Sequence, residues 1–87
     1  MNIELDPAKA QINLKKHGIS FEEAASCLLD PMALVHEDGA CYGEQRWVLL
    51  GMSDKARLLT VIYTIRGENI RIISARKSTK NEAKNYA

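Results

Sequence analysis

The chain has 87 residues, of which 46% are hydrophobic and 26% are charged, and its formal net charge at pH 7 is +1. This length predicts a single domain over residues 1–87, with room for one core and one site. No uncharged run approaches the roughly 20 residues that span a bilayer, and the N-terminus lacks an apolar signal segment, so we expect a soluble, cytoplasmic protein without membrane contact.

The charged residues are divided unevenly along the chain. Residues 55–87 contain eight Lys or Arg and two Glu, whereas residues 1–54 contain four Lys or Arg and nine Asp or Glu. A basic half within a nearly neutral domain is typical of proteins that contact phosphates. We therefore expect the C-terminal half to face an anionic partner.

The first third of the chain carries two helix signals. Asp6 and the proline after it supply an N-cap and a first helical residue, and Gly18 supplies a left-handed stop, so a first helix is predicted over residues 7–17. Ser20, with a glutamate three residues later, is typical of a capping box, and a second helix is predicted to end near residues 30–31. Its buried face should consist of apolar residues at helical spacing, namely Phe21, Ala24, Ala25, Leu28 and Leu29.

Beyond the second helix the pattern changes to alternation and to residues that favour strands. Strands are predicted at residues 33–36, 45–53, 57–65 and 69–76. The last two connections are short and polar, as in antiparallel hairpins, because a parallel crossover needs a dozen or more residues. Thr79 and Glu82 form another capping box, so a short third helix is predicted from residue 80 to the end. This order predicts an α+β domain with two N-terminal helices, a four-stranded mainly antiparallel sheet and a short C-terminal helix.

The segment of residues 66–77 concentrates four cations, namely Arg66, Arg71, Arg76 and Lys77. On an unbroken strand Arg71 and Arg76 would lie on opposite faces, whereas a β-bulge near Ser74 and Ala75 would bring them together. The sequence leaves this open. A guanidinium binds two phosphate oxygens at once and stays charged, so the segment indicates phosphate contact, and a solvated rim is the alternative.

Five residues outside this segment are further candidates for chemistry. Lys9 and His17 lie on one polar face of the first helix, where the alternative is a solvent-facing stripe with a C-terminal cap. Glu44 and Arg46 begin the second strand on one face, either as an ion pair or as a proton acceptor beside a cation. Tyr63 lies in an apolar strand, where it either packs in the core or stacks on a base and donates a proton.

The sequence gives no support for metal-dependent or nucleotide-dependent chemistry. Cys27 and Cys41 lack CxxC spacing, which indicates reduced, apolar thiols in a reducing compartment. Neither His17 nor His36 has zinc-ligand spacing with the cysteines, and no glycine-rich phosphate loop is present. We therefore expect neither a metal nor a cofactor.

Several motifs together resemble one known family over nearly the whole chain. They are Asp6-Pro7-x-Lys9-x-x-x-Asn13-x-x-Lys16-His17-Gly18, Ser20-Phe21-Glu22-Glu23-Ala24, Asp30-Pro31, Gly43-Glu44-x-Arg46, Gly51-x-Ser53, Arg57-x-Leu59-x-Val61 and Ile70-Arg71-Ile72-Ile73-Ser74-Ala75-Arg76. The chain resembles the BrnT toxins of bacterial type II toxin-antitoxin systems, a branch of the RelE-like ribonuclease fold. The resemblance implies a RelE-like domain that acts as a metal-independent endoribonuclease, cleaves RNA and inhibits translation.

The implied reaction suggests a role for each candidate residue. Attack by the ribose 2′-OH needs a base, cations on the phosphorane oxygens and an acid for the leaving 5′-oxygen. Arg71 and Arg76 would stabilise the phosphate charge, Glu44 or His17 would transfer protons, and Tyr63 would stack on a base or donate a proton. The expected RNA-binding residues are Arg66, Arg46, Lys77 and Lys9.

The resemblance also implies a partner. A cognate BrnA-like antitoxin with a ribbon-helix-helix part would cover the basic face, and the pair would bind operator DNA only through that antitoxin. One departure concerns Ala40 and Cys41, because family members commonly carry a His-Ser pair three residues ahead of the Gly-Glu. Two alternatives therefore stay open: a non-catalytic RNA- or antitoxin-binding module of the same fold, and an interaction protein whose arginines hold an acidic partner.

Overall fold

The computed structural model of the chain describes residues 2–41 and 43–86. Its elements in chain order are β1 (Asn2–Glu4), α1 (Pro7–His17), α2 (Phe21–Cys27), β2 (Leu34–Cys41), β3 (Glu44–Met52), β4 (Leu58–Arg66), β5 (Asn69–Lys77) and α3 (Lys80–Ala83). Within the described ranges no helix combines the length and the apolar character needed to cross a bilayer. The α+β class is as predicted.

The strands form one mixed sheet in the order β1-β5-β4-β3-β2. Strands β2 to β5 pair in antiparallel fashion, whereas β1 is parallel to β5, with Asn2 opposite Asn69 and Glu4 opposite Arg71. This corrects the predicted four-stranded sheet. Strand β1 has only three residues, and its partner lies near the other end of the chain, so no local pattern indicates it.

Helix α1 begins and ends where the sequence predicts. Asp6 caps its first turn, and Gly18, at φ 71°, closes the last turn by donating its N–H to the carbonyl of Leu14 at 2.8 Å. Helix α2 begins as predicted but ends early, at Cys27. Leu29 therefore lies beyond the helix and is exposed, which corrects its predicted place in the core.

Strand β2 is longer than predicted, since it spans Leu34–Cys41 rather than residues 33–36. The polar residues in its middle are typical of a loop, but a register shift between Glu37 and Ala40 accommodates them within the strand pair. Helix α3 has four residues and ends at Ala83, and its predicted capping box is present.

The core lies between α1 and α2 on one side and one face of the sheet on the other. Its buried members are Ile19, Phe21, Ala24, Cys27, Leu49, Leu59, Val61, Tyr63, Ile72 and Ala75. Burial raises the pKa of the Cys27 thiol to about 11, which keeps it protonated at neutral pH. Because side chains alternate along a strand, residues of the opposite parity point to the other face, which α1 and α2 do not cover.

Asn13 attaches α1 to strand β5. Its buried side-chain amide donates to the carbonyls of Ile19 and Ala75, both at 2.9 Å, and its oxygen accepts from the N–H of Ala75 at 3.1 Å. These bonds satisfy the backbone of β5 at Ala75 on the edge away from β4, where the pairing with β1 has already ended. The amide therefore fixes the distance between the helix and the edge of the sheet.

Candidate functional site

A β-bulge in β5 determines where its arginines lie. Arg71 pairs with Thr64 and Arg76 pairs with Thr60, so five steps along β5 match four steps along β4. The register shift leaves Ile73 as the extra residue, next to the position at which a bulge was one of the two open alternatives. Residues four apart on a regular strand share a face, and the bulge therefore brings Arg71 and Arg76 together on one face of the sheet.

Two more arginines share this face, which we call the open face because α1 and α2 pack on the other one. Arg46 pairs with Thr64 from the β3 side, so Arg46 and Arg71 flank the same threonine. Arg66 lies two residues beyond Thr64 on β4 and has the same orientation. The Nε of Arg46 is buried and has no hydrogen-bond partner among the described residues.

Three of these guanidinium groups bind carboxylates of the chain itself. The pairs are Arg66 with Glu44 at 2.6 Å, Arg71 with Asp6 at 3.3 Å and Arg76 with Glu82 at 2.8 Å. All six side chains are partly accessible to solvent. Ion pairs in contact with water contribute little to stability, so a phosphate group can compete with these carboxylates.

The pair of Arg76 and Glu82 links the open face to α3. Arg76 donates two hydrogen bonds to the carboxylate of Glu82, at 2.8 and 2.9 Å, and the N–H of Thr79 donates to the same group at 2.8 Å. The guanidinium of Arg76 lowers the pKa of Glu82 to about 2. Helix α3 is thereby held at one end of the open face.

His36 also lies on the open face, a position that the sequence pattern did not predict. It pairs with Val48, which is two residues from Arg46 on β3. It also lines a cavity of about 100 Å³ together with Thr60 and Glu82. Its pairing with Val48 gives His36 this orientation. The sequence did not indicate the pairing, because the polar residues after His36 resemble a loop.

Tyr63 and Lys77 do not share the open face. Tyr63 pairs with Ile72 and is buried in the core, where burial raises the pKa of its hydroxyl. Lys77 pairs with Leu59, another core residue, and so points to the helix-covered side. The structure therefore does not bring to the arginines either Tyr63, predicted for base stacking or proton donation, or Lys77, predicted for RNA binding.

Lys9 and His17 lie at another place on the surface. Both line a cavity of about 270 Å³ between α1 and β5, together with Ile73 and Ser74. The first helix thus directs its polar face along the edge of the sheet and not over the open face. The structure does not bring the His17 imidazole, one of the two candidates for proton transfer, to the four arginines.

A fifth arginine has a different environment, at the hairpin between β3 and β4. Arg57 and the hydroxyl of Ser53 both donate to the buried carboxylate of Glu23, with bonds of 2.8 and 2.7 Å to the same oxygen. The hydrogen bonds from Arg57 lower the pKa of Glu23 more than its burial raises it. This group ties α2 to the hairpin.

The described ranges contain no group of three or more His, Cys, Asp or Glu residues arranged to hold a metal ion. The open face therefore offers chemistry by cations, carboxylates and one imidazole. Guanidinium groups bind and neutralise phosphate, and the Glu44 carboxylate and the His36 imidazole are of the residue types that serve as general bases and acids.

Comparison with known proteins identifies a family and a solved structure to which the chain is similar. A family described as ribonuclease toxin, BrnT, of type II toxin-antitoxin system matches residues 5–82. The 1.1 Å crystal structure of the Brucella abortus ribonuclease toxin BrnT is similar, with a TM-score of 0.70 and 26% sequence identity over 92% of this chain and 99% of that chain. No curated protein matches. The matched range includes every arginine of the open face.

Proposed function

The chain belongs to the BrnT family of ribonuclease toxins from type II toxin-antitoxin systems, and from this premise we propose that its open face cleaves RNA without a metal ion. The observation that carries the proposal is the strand register that gathers Arg46, Arg66, Arg71 and Arg76 on one face. Four guanidinium groups beside one another provide a surface for a phosphodiester backbone.

The bound phosphate lies above Thr64 in this proposal. Arg46 and Arg71 flank that threonine on the two neighbouring strands, so their Cα atoms are separated by two strand spacings, or about 10 Å. Arginine side chains are long enough to meet across this gap. The bound phosphate displaces Asp6 from Arg71 and gives the buried Nε of Arg46 an acceptor.

The proposed reaction is attack by the ribose 2′-OH on the adjacent phosphorus. The 2′-oxygen bonds to phosphorus and gives its proton to Glu44, the P–O5′ bond breaks, and His36 gives a proton to the leaving 5′-oxygen. The products are a 2′,3′-cyclic phosphate and a 5′-OH end. The arginines stabilise the charge that grows on the phosphorane oxygens, a task for which fixed cations are well suited.

The double variant Arg46→Ala, Arg71→Ala tests the proposal. Cleavage of RNA in EDTA should fall by about 100- to 1,000-fold, because two preorganised charges are lost from the transition state. Lys77→Ala, on the other face, is the matched control and should cleave at the wild-type rate. A double variant that unfolds like the wild type and still cleaves RNA normally would falsify the proposal.

The same assay separates the enzyme from a non-catalytic module. Binding of RNA without cyclic-phosphate products would favour the module, which the departure at Ala40 and Cys41 suggests. The side chains of these two residues lie outside the described part of the structure. Their effect is measured by restoring the family pair with Ala40→His, Cys41→Ser and comparing cleavage rates.

We further propose that RNA cleavage by this chain inhibits translation and that a cognate antitoxin neutralises it. The family assignment supports a protein partner, since type II systems pair a toxin with an antitoxin. The antitoxin is proposed to be BrnA-like, with a ribbon-helix-helix part through which the pair binds operator DNA. Co-expression should restore growth in cells that the chain alone arrests, and growth arrest that persists would count against the partner.

A further inference from the structure

Helix α1 carries a second cationic surface. The helix has basic residues in its last turn and no acidic residue in its first. Lys9, Lys16 and His17 line the cavity of about 270 Å³ between α1 and β5, which we call the α1 groove. Within residues 2–41 and 43–86 none of the three forms an ion pair, whereas three open-face arginines are each paired with a carboxylate.

Two isoleucines also line the α1 groove. Ile12 is 64% exposed there, and Ile73, the extra residue of the bulge, lines the groove from the strand side. An exposed isoleucine bordered by cations is typical of a surface that receives an apolar side chain of an acidic partner. Sites for single-stranded RNA usually add aromatic rings on which bases stack, and the residues that line this groove include none.

The backbone of β5 does not offer this partner a free edge at the centre of the groove. Strand β1 pairs with β5 only as far as Arg71, but beyond it Asn13 already binds both the N–H and the carbonyl of Ala75. Addition of a partner strand there would have to break buried hydrogen bonds. Recognition in the groove therefore depends on side chains.

We propose that the α1 groove binds an acidic, partly apolar segment of the antitoxin. Carboxylates of the segment lie beside Lys9 and Lys16, and one apolar side chain packs between Ile12 and Ile73. The inference rests on the proposed function because it takes the antitoxin as the partner. Since the groove lies at the sheet edge and the arginines lie on the open face, this segment does not contact the RNA-cleaving residues, which the rest of the antitoxin covers.

The double variant Ile12→Ser, Lys16→Glu changes the groove alone. Leu14→Ser, Lys15→Glu is its matched control, because these exposed residues belong to the same helix but do not line the groove. Affinity for the purified antitoxin, measured by calorimetry at fixed salt, should fall about tenfold or more in the groove variant and stay near wild type in the control. RNA cleavage by both variants should match the wild type.

Two results would overturn the inference. One is wild-type antitoxin affinity in a folded groove variant, and the other is loss of RNA cleavage with unchanged antitoxin affinity, which would assign the groove to RNA. A defined probe keeps the test independent of the enzyme: a synthetic peptide of alternating Glu and Leu should shift the NMR methyl signals of Ile12 and Ile73. Its Lys and Leu counterpart should not, and equal shifts from both peptides would count against recognition by charge.

Discussion

The carboxylates of Glu23 and Glu44 each bind an arginine, but their surroundings differ. The Glu23 side chain is 1% exposed and binds Arg57 and Ser53, whereas Glu44 is 41% exposed and its partner Arg66 is 50% exposed. Removing one partner of a buried pair is costly, while an exposed pair in water contributes little. The buried Glu23 group therefore stabilises the fold, whereas the exposed Glu44 can release Arg66 to another anion.

Substitution of Glu23 and of Glu44 should differ most in the effect on the free energy of unfolding. Glu23→Gln removes a buried charge that three donor groups satisfy, and we expect the free energy of unfolding to fall by about 2 to 3 kcal/mol. Glu44→Gln should change it by less than about 0.5 kcal/mol while lowering RNA cleavage. Urea titrations of both variants measure this, with the exposed Glu22→Gln as the control on α2. Equal losses of stability in both variants would remove the distinction.

A smaller loss of stability should appear in the wild-type chain at acidic pH. The pKa of Glu82 is about 2 in the folded chain, below its ordinary value of 4.5, and that of Glu23 is also lowered. A lowered folded-state pKa gives stability that is complete above the unfolded value and is lost as the pH falls through the folded value. Thermal stability should therefore be flat between about pH 5 and 8 and decrease between about pH 4.5 and 2.

Glu82→Gln sharpens this test, because its amide cannot titrate. The variant should lose less stability than the wild type over the same acidic range, and Glu22→Gln should follow the wild-type curve. Thermal unfolding followed by circular dichroism at a series of pH values gives both curves. An unchanged slope in the Glu82 variant would mean that its pairing with Arg76 does not persist in solution.

The smallest expected effect concerns inorganic phosphate. If the open-face arginines exchange their carboxylates for phosphate, saturating phosphate should stabilise the wild-type chain by about 1 kcal/mol through binding to the folded state. The effect should be absent in the Arg46→Ala, Arg71→Ala variant and present in Lys77→Ala. Stabilisation that survives in the double variant would indicate that phosphate binds elsewhere.

Local signals in the sequence were sufficient for α1 but not for the edges of the sheet. Asp6 and Gly18 determine the two ends of the helix through bonds to nearby backbone groups, so its bounds were predicted correctly. Strand β1 depends on pairing with a distant strand, and β2 depends on a register shift at Glu37. Long-range pairing of this kind leaves no periodic trace in so few residues.

In the candidate site, too, local signals predict some positions, and long-range pairing determines the others. The alternation of Leu59, Val61 and Tyr63 already indicates one buried face, so the place of Tyr63 was predictable from parity alone. The grouping of the arginines on the open face was not predictable, because Ile73 is an ordinary strand residue whose type does not indicate a bulge. The position of His36 was likewise hidden by the polar residues that follow it in β2.

The bulge makes the open face depend on the number of residues in β5 as well as on their identity. An insertion of one codon between Arg71 and Arg76 would leave both arginines present, yet with the bulge retained it would direct them to opposite sides of the sheet. An inventory of family residues would rate such a gene as intact. Natural variants with one residue added between these arginines are therefore candidates for silent loss of toxicity that comparison by substitution alone would overlook.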